Sequence, residues 1–306
     1  MTRFWLVKIV RTLLTLWFVL TFAFIVLRTS GDPVVALLGA DARPDEVAQF
    51  RSQWGLDRPL YEQYARYIAQ MATGQFGISY RDGRQVIDII AERVPWTLLL
   101  GLVAYLIAAL VGIPAGILAA LKRGSTLDRL IMTFAVFGFA LPNFFLGILM
   151  ILLFSLTLQW LPSSGTGTIW HFLMPAITLG TFTAGTLARF TRSAMLEVLD
   201  RLYMRAAAAK GVPHWKRILL HALPNAAIPI VTIIGLNLGQ LIAGAIVVET
   251  VFAWPGVGRL LVTAVSSRDL AVVQALVLVI AATMVVANLL VDLLYGLLDP
   301  RIRVAR

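Results

Sequence analysis

The sequence predicts an all-α membrane protein with six transmembrane helices and both chain ends on the cytoplasmic side. Three observations carry that prediction. Hydrophobic residues make up 59% of the 306 and charged residues only 14%, with a mean hydropathy of +0.84. Soluble domains run at about 45–50% apolar and about 25% charged. Long runs carry no Asp, Glu, Lys or Arg, and a crossing needs only about 20 apolar helical residues. The basic residues gather in alternate loops.

The first uncharged run is Thr12–Leu27, between Arg11 and Arg28. It is short, but both arginines can snorkel from its ends, giving a first helix over 9–29. A secretory signal peptide is the competing reading, since Arg3, Lys8 and Arg11 resemble a basic leader. No small-x-small cleavage site precedes Gly31, so a retained helix is expected. Val94–Leu121 is the second run. Leu130–Ala188 is too long for one crossing and is interrupted by the turn-forming Pro162–Thr168, so it reads as the third and fourth. Ile218–Val248 is the fifth, preceded by the helix-disfavouring Leu223–Asn225, and Leu270–Val291 is the sixth, continuing to about Leu298.

Orientation follows from Lys and Arg. Those before the first run, between the second and third, between the fourth and fifth, and after the sixth account for 16 of the 26. The segment 30–94 carries seven basic against nine acidic residues, and 158–171 has none of either. The basic side is then cytoplasmic, and the net charge of +10 needs no nucleic-acid partner. The whole chain, 1–306, is expected to form one transmembrane domain. It would comprise an external segment at 30–94 and a five-helix core at 95–298 with a cytoplasmic loop at 189–217.

Within the external segment, Pro44–Trp54 reads as a short helix ended by Gly55. Leu60, Tyr64, Tyr67, Ile68 and Met71 fall at helical spacing. Gly74, Gly77 and Gly83 break the chain, and Val86, Ile87, Ile90 and Val94 start an amphipathic helix leading into the second crossing. The segment reads either as a cap packed on the bundle or as a docking surface.

The cytoplasmic loop is richer. Ala206–Ala209 are followed by Lys210, Gly211, Val212 and Pro213. Gly211 can end one helix and Pro213 start the next, giving two short helices meeting at a bend. A solvated basic loop would account for the charges, whereas a docking element for a cytoplasmic subunit accounts for the bend as well. Helix breakers recur within the runs: Gly112, Pro114 and Gly116, then Pro142 with Asn143, Pro175, Pro229 and Gly235. Together they favour a moving bundle or a channel-like path. Asn143, Asn237 and Gln240 are the polar candidates along such a path. Glu249 and Asp292 read as ordinary end residues, and no run has a central charge that would mark an ion relay. Trp254, Pro255 and Gly256 form an aromatic turn at the outer mouth, either a gate or an interfacial anchor.

Several chemistries are missing. Cys is absent, which excludes disulfides and thiol nucleophiles. There is no phosphate-cradling G-x-x-x-x-G-K-[ST] and no H-E-x-x-H. The three histidines, His171, His214 and His221, lack ligand spacing. An ATPase, if one drives this protein, is another polypeptide, and no catalytic residue or metal site is expected here.

The stretch YMRAAAAKGVPHWKRILLHALPNAAIPIVTIIG, Tyr203–Gly235, resembles the cytoplasmic loop of binding-protein-dependent ABC importer permeases. The dipeptide, oligopeptide and nickel branch is the most similar. The resemblance extends over about 270 residues. It includes SGDP at Ser30–Pro33, LDRP at Leu56–Pro59, GIPAGILAALKRGSTLDR at Gly112–Arg129, LPNFFLG at Leu141–Gly147, WLPSSG at Trp160–Gly165 and VVETVFAWPGVGRLL at Val247–Leu261. It implies a permease that pairs with a second, homologous permease and with two cytoplasmic ATPases that bind ATP and Mg. An extracytoplasmic solute-binding protein delivers the solute, and this chain needs no cofactor of its own. It also implies that Ala206, Ala207 and Ala209, before the loop glycine Gly211, form a coupling helix seated in a groove of the ATPase. Arg205 and Lys210 would lie at its rim. Arg205 stands where the wider ABC pattern has Glu, a departure the peptide branch shares. Dipeptides or oligopeptides are the expected solutes, with glutathione, nickel chelates and other small solutes open. A self-contained secondary transporter or channel is the alternative, although no repeated halves or midplane ionisable residue supports it. A membrane anchor without a solute path would need neither the docking bend nor the interrupted helices.

Overall fold

The computed structural model describes residues 2–29 and 42–298, with Val34 and Leu38 between them. Side-chain surroundings at 2–5, 228, 232, 236–243 and 290–298 are outside the description. Ser30–Pro33 and the terminal Arg301, Arg303 and Arg306 also lie outside the described residues. Among the described residues the protein is all helical, with one isolated bridge between Ile78 and Gln85. Among the described residues three helices are long and apolar enough to cross a membrane, Leu6–Thr29, Val86–Leu121 and Leu270–Leu289. The number becomes five if each of two bent pairs is one span. The described residues fall into two compact units, Met1–Thr97 with Pro255–Val285, and Leu98–Trp254 with Val286–Arg306.

In the first unit the helix Thr2–Thr29 packs Leu20 and Phe24 on Tyr67 and Met71 of the helix Leu60–Thr73. The Thr21 and Tyr64 hydroxyls share a 2.7 Å hydrogen bond across that contact. Tyr67 and Met71 are four apart and so share a face. Pro44–Trp54 is helical as its punctuation predicts, with Gly55 closing it at φ 65°. It has no buried residue, and Trp54 meets the Tyr80 ring edge-on at 4.5 Å. Burial pushes the Tyr80 phenol up to about 12, with nearby Arg28 pulling down and Asp269 pushing further up. Tyr67 is held well above the usual phenol range, chiefly by burial. The helix Val86–Leu121 opens by burying Val86 and Ile90 against Val257, Ala264, Val272 and Leu276.

A helix at Val257–Ser266 sits where the sequence reads as a loop between the last two crossings. Val257, Gly258 and Ala264 face inward while Val262 and Val265 are exposed, so one apolar face supports it. Asp269 then begins the final helix. Its Oδ1 accepts the Val272 and Tyr80 backbone N–H groups, and its Oδ2 accepts the Ser79 hydroxyl. That buried carboxylate ties the Gly77–Gln85 turn to the final helix.

In the second unit the helices Thr126–Ala140 and Leu223–Val251 both pack along Trp170–Leu199. This central helix is Thr- and Gly-rich and buried along much of its length. A helix surrounded by protein does not need the Leu and Val that face lipid, which is why it falls outside the apolar set. Its crossings are close. A Cβ built on Gly112, Gly116, Gly180 or Gly185 would lie 2.4–2.7 Å from a carbonyl oxygen of the facing helix.

Three expectations need correction. Gly112, Pro114 and Gly116 do not interrupt their helix; the two glycines instead bring it against Ala184 and Ala188. Pro142, by contrast, breaks its helix as expected: the segment read as the third crossing bends by 104° between Thr126–Ala140 and Asn143–Thr157, because Pro142 supplies no N–H and holds Leu141 extended at ψ 125°. Leu223–Asn225 does not break the fifth: the chain runs helically from the π-helical Arg217–Ala222 into Leu223–Val251, and the bend of 44° falls near Pro229. Glu249 does lie two residues from the end of its helix, but it is fully buried rather than open to an interface.

Candidate coupling element and translocation path

The central helix ends at Asp200, the chain turns through an extended Arg201, and an eight-residue helix covers Leu202–Ala209. One side chain anchors it. Met204 is 5% exposed and packs with Met195, Ala194, Ala222 and Ile230. Arg205, Ala206, Ala209 and Lys210 are exposed and Ala207 is half-buried, so a face of methyl groups edged by two cations points outward. Gly211 closes the helix at φ 76°, with Val212 N–H bonded to the Ala207 carbonyl at 3.1 Å and Gly211 N–H to Ala208 at 3.0 Å. No atom lies within 4 Å of a Cβ placed on Gly211. Pro213 then starts His214–Lys216. The predicted helix–glycine–helix bend is present, and Arg205, Ala206, Ala207, Ala209, Lys210 and Gly211 come together in it.

The sequence reading missed two neighbours of this element. Leu202 is 80% exposed and Trp215 58% exposed, one at each end of the bend. Bulky apolar residues inside a strongly basic loop are the signal that could have identified them. It also missed the brace behind the bend. Arg192 donates two hydrogen bonds, at 2.7 and 2.8 Å, to the carboxylate of Asp128. Asp128 Oδ2 also accepts Gly124 N–H, and Ser125 Oγ accepts the Asp128 N–H. Arg123 and Asp200 pair nearby at 3.6 Å. The Lys122–Ser125 turn is thereby tied to the segment that carries the short helix.

The path candidates do not converge in the same way. Pro142 caps the helix Asn143–Met150, and Asn143 is half-buried, its Nδ2 3.0 Å from the Cβ position of Gly244. Gly147 on that helix faces Val251 and Phe252. Asn237 and Gln240 fall in a helix, but their side chains lie outside the described residues. Trp254 is not an interfacial anchor: its indole is 0% exposed and meets Phe172 edge-on at 4.4 Å. Pro255 and Gly256 belong to the other unit, where they line a cavity of about 340 Å³ with the start of the Val257–Ser266 helix. Among the described residues no group of three or more His, Cys, Asp or Glu could hold a metal ion.

Residues 112–304 match the family described as binding-protein-dependent transport system inner membrane component, and residues 1–101 match the N-terminal part of such components. The glutathione transport system permease protein GsiC of Escherichia coli K12 is 45% identical over 285 residues, 93% of both chains. Its counterpart in Shigella flexneri serotype 5b is 44% identical over the same length. Among solved structures, the MetNI methionine ABC transporter in an inward facing conformation (CY5 native crystal form) aligns with a TM-score of 0.61 at 18% identity. That alignment covers 70% of this chain and 97% of the other, a likeness of fold. The chain therefore belongs to the inner-membrane component family of binding-protein-dependent transport systems, as a multi-pass bacterial permease of an ABC importer in the dipeptide and oligopeptide branch.

Proposed function

We propose that this permease forms half of the translocation path of an ATP-driven importer for peptide-like solutes, coupled through Leu202–Gly211 to ATPases that are separate polypeptides. A second, homologous permease completes the path. Two cytoplasmic ATPases hold the ATP and Mg, and an extracytoplasmic binding protein delivers a dipeptide, an oligopeptide or a glutathione-like peptide. The chain crosses the membrane six times with both ends inside, the buried helix Trp170–Leu199 and the two bent pairs completing the set. The substrate class is supported by the name of the 45% identical relative, a glutathione permease.

The observation that carries this reading is the outward face of Ala206–Ala209, closed by Gly211 and anchored by Met204 alone. A face of methyl groups on a short rigid helix makes close steric contact possible, and a single buried anchor lets the element transmit a push as one body. Closure of the ATPases then moves this lever, and the bundle exchanges inward-open and outward-open states. Gly211→Trp in the reconstituted importer should lower solute uptake per ATP hydrolysed by roughly tenfold, the effect of about 1.4 kcal/mol at the joint. The variant should still insert in the membrane, because the added side chain meets open space and the left-handed φ of 76° costs a non-glycine residue only about 1–2 kcal/mol. Unchanged uptake per ATP would refute the coupling role.

A further inference from the structure

The helices Val86–Leu121 and Thr126–Ala140 part over the surface of Trp170–Leu199 and leave a groove of about 730 Å³. Val111 and Ala115 line one side, Leu130 and Phe134 the other, and Ala184 and Ala188 lie between. Val111, Leu130 and Phe134 are exposed, so the groove is open along its rims. No charged side chain lines it, and its one hydroxyl, on Thr181, donates to the Ile177 carbonyl at 2.6 Å. A peptide-like solute would find no side-chain hydrogen bond there, which leaves hydrocarbon as the filling.

In the proposed orientation the groove ends at the cytoplasmic surface. Leu127, on its rim, follows directly on the turn at 122–125. Lys122 is exposed, and its N–H bonds the Leu118 carbonyl at 3.0 Å, so the helical register runs on to it. Steps of four, four and seven residues from Ile107 through Val111 and Ala115 keep Lys122 on the groove face. The charge at this end is unbalanced even when every carboxylate is counted. Arg192 is matched by Asp128 and Arg123 by Asp200. Lys122 and Arg129 remain, both exposed and without a salt bridge among the described residues. Two solvated cations are ordinary on an inner face. Here they stand at the mouth of a groove that accepts only hydrocarbon, and a basic mouth on an apolar groove between helices suits an anionic lipid. A second permease is the competing occupant. Its inner loops would be basic by the same charge rule and would set cations against Lys122 and Arg129. An anionic headgroup cancels that charge instead.

We propose that this groove holds one acyl chain of an anionic phospholipid of the cytoplasmic leaflet, with Lys122 attracting its phosphate and Arg129 adding to the local field. The proposal goes beyond the importer reading and rests on it only for the orientation. The lipid would sit beside the Asp128–Arg192 pair, behind the coupling element.

The test uses the assembled importer in phosphatidylcholine vesicles doped with a phospholipid that carries a photoreactive diazirine half-way along one acyl chain. The probe is phosphatidylglycerol in one preparation and phosphatidylcholine in the other, and labelled peptides are mapped by mass spectrometry. The anionic probe should label 107–115 and 127–134 at least roughly fivefold more than the choline probe, and Lys122→Gln should remove most of that preference. Lys122 is exposed, so this variant does not endanger the fold. Ala115→Phe, which fills the groove, should lower labelling at 127–134 and leave that of the helix Thr2–Thr29 unchanged. Equal labelling by the two probes, a preference that survives Lys122→Gln, or labelling no greater than on Thr2–Thr29 overturns the proposal. Capture of the second permease by a benzophenone amino acid in place of Phe134 overturns it too, by assigning the groove to a protein interface. Labelling needs neither ATP nor solute, so its failure leaves the coupling assignment at Gly211 standing, and that assignment can fail without affecting this one.

Discussion

At the scale of single residues, the strongest constraint lies in the Asp128–Arg192 pair. The Asp128 side chain is 4% exposed and that of Arg192 27% exposed, so the carboxylate is desolvated while the guanidinium keeps some water. Removing one partner leaves the other short of hydrogen bonds in a partly dry setting. Asp128→Asn should therefore destabilise the purified permease by about 1–3 kcal/mol, read as a lower midpoint of thermal or denaturant unfolding in detergent. The exchanged pair Asp128→Arg with Arg192→Asp should recover part of that loss. If the single and exchanged variants unfold like the parent, the pair is not a brace. The 64-residue separation of these partners made the bond illegible in sequence, where Arg192 counted only as one more inner-face cation. Trp254 shows the same blindness in reverse. Its neighbours Pro255 and Gly256 suggest an exposed turn, but the indole finds Phe172, which no local pattern announces.

At the scale of elements, helix-breaking residues proved to have separate uses, and periodicity alone did not separate them. Pro142 breaks its span because the residue before it is forced extended. Gly112 and Gly116 break nothing, since a helix tolerates an isolated Gly when the missing Cβ permits a close crossing. The consequence is testable. Gly116→Ala would place a methyl 2.5 Å from the Ala188 carbonyl oxygen, whereas Gly101→Ala meets nothing within 4 Å. The first should cost about 1–3 kcal/mol and the second nothing or slightly less than nothing, since Ala is the better helix former. Comparing the unfolding midpoints of the two variants decides it; equal midpoints would mean the crossing is looser than described. The helices Pro44–Trp54 and Leu60–Thr73, by contrast, were legible in full. Both are bounded by Pro at the start and by Gly in the left-handed region at the end, signals that act through the local backbone alone.

At the scale of the whole molecule, the proposed topology is set by where the charges can go. Sixteen of the 26 basic residues occupy alternate loops, and the cost of moving Lys or Arg through hydrocarbon fixes the side on which those loops stay. The absence of Cys makes this directly measurable. Ser52 and Ala208 are both exposed and lie on opposite sides in the proposed orientation. In intact cells with a permeabilised outer barrier, a membrane-impermeant maleimide should label Ser52→Cys and leave Ala208→Cys unlabelled until the inner membrane is opened. The reverse pattern would invert the topology and place the short helix out of reach of any cytoplasmic ATPase.

The sequence by itself determined the membrane class, the location of the apolar runs, the charge asymmetry and the helix–glycine–helix bend at Ala206–Pro213. These depend on composition, solvent transfer and local backbone preference, all of which act along the chain. Tertiary structure alone decided that Met204 anchors the short helix, that Asp128 meets Arg192, that Trp254 is buried, and that Arg81, Arg93 and Arg259 share one cavity wall. Each of those is a meeting of residues distant in sequence, fixed by which helix faces pack together, and no periodicity within one segment encodes its partner.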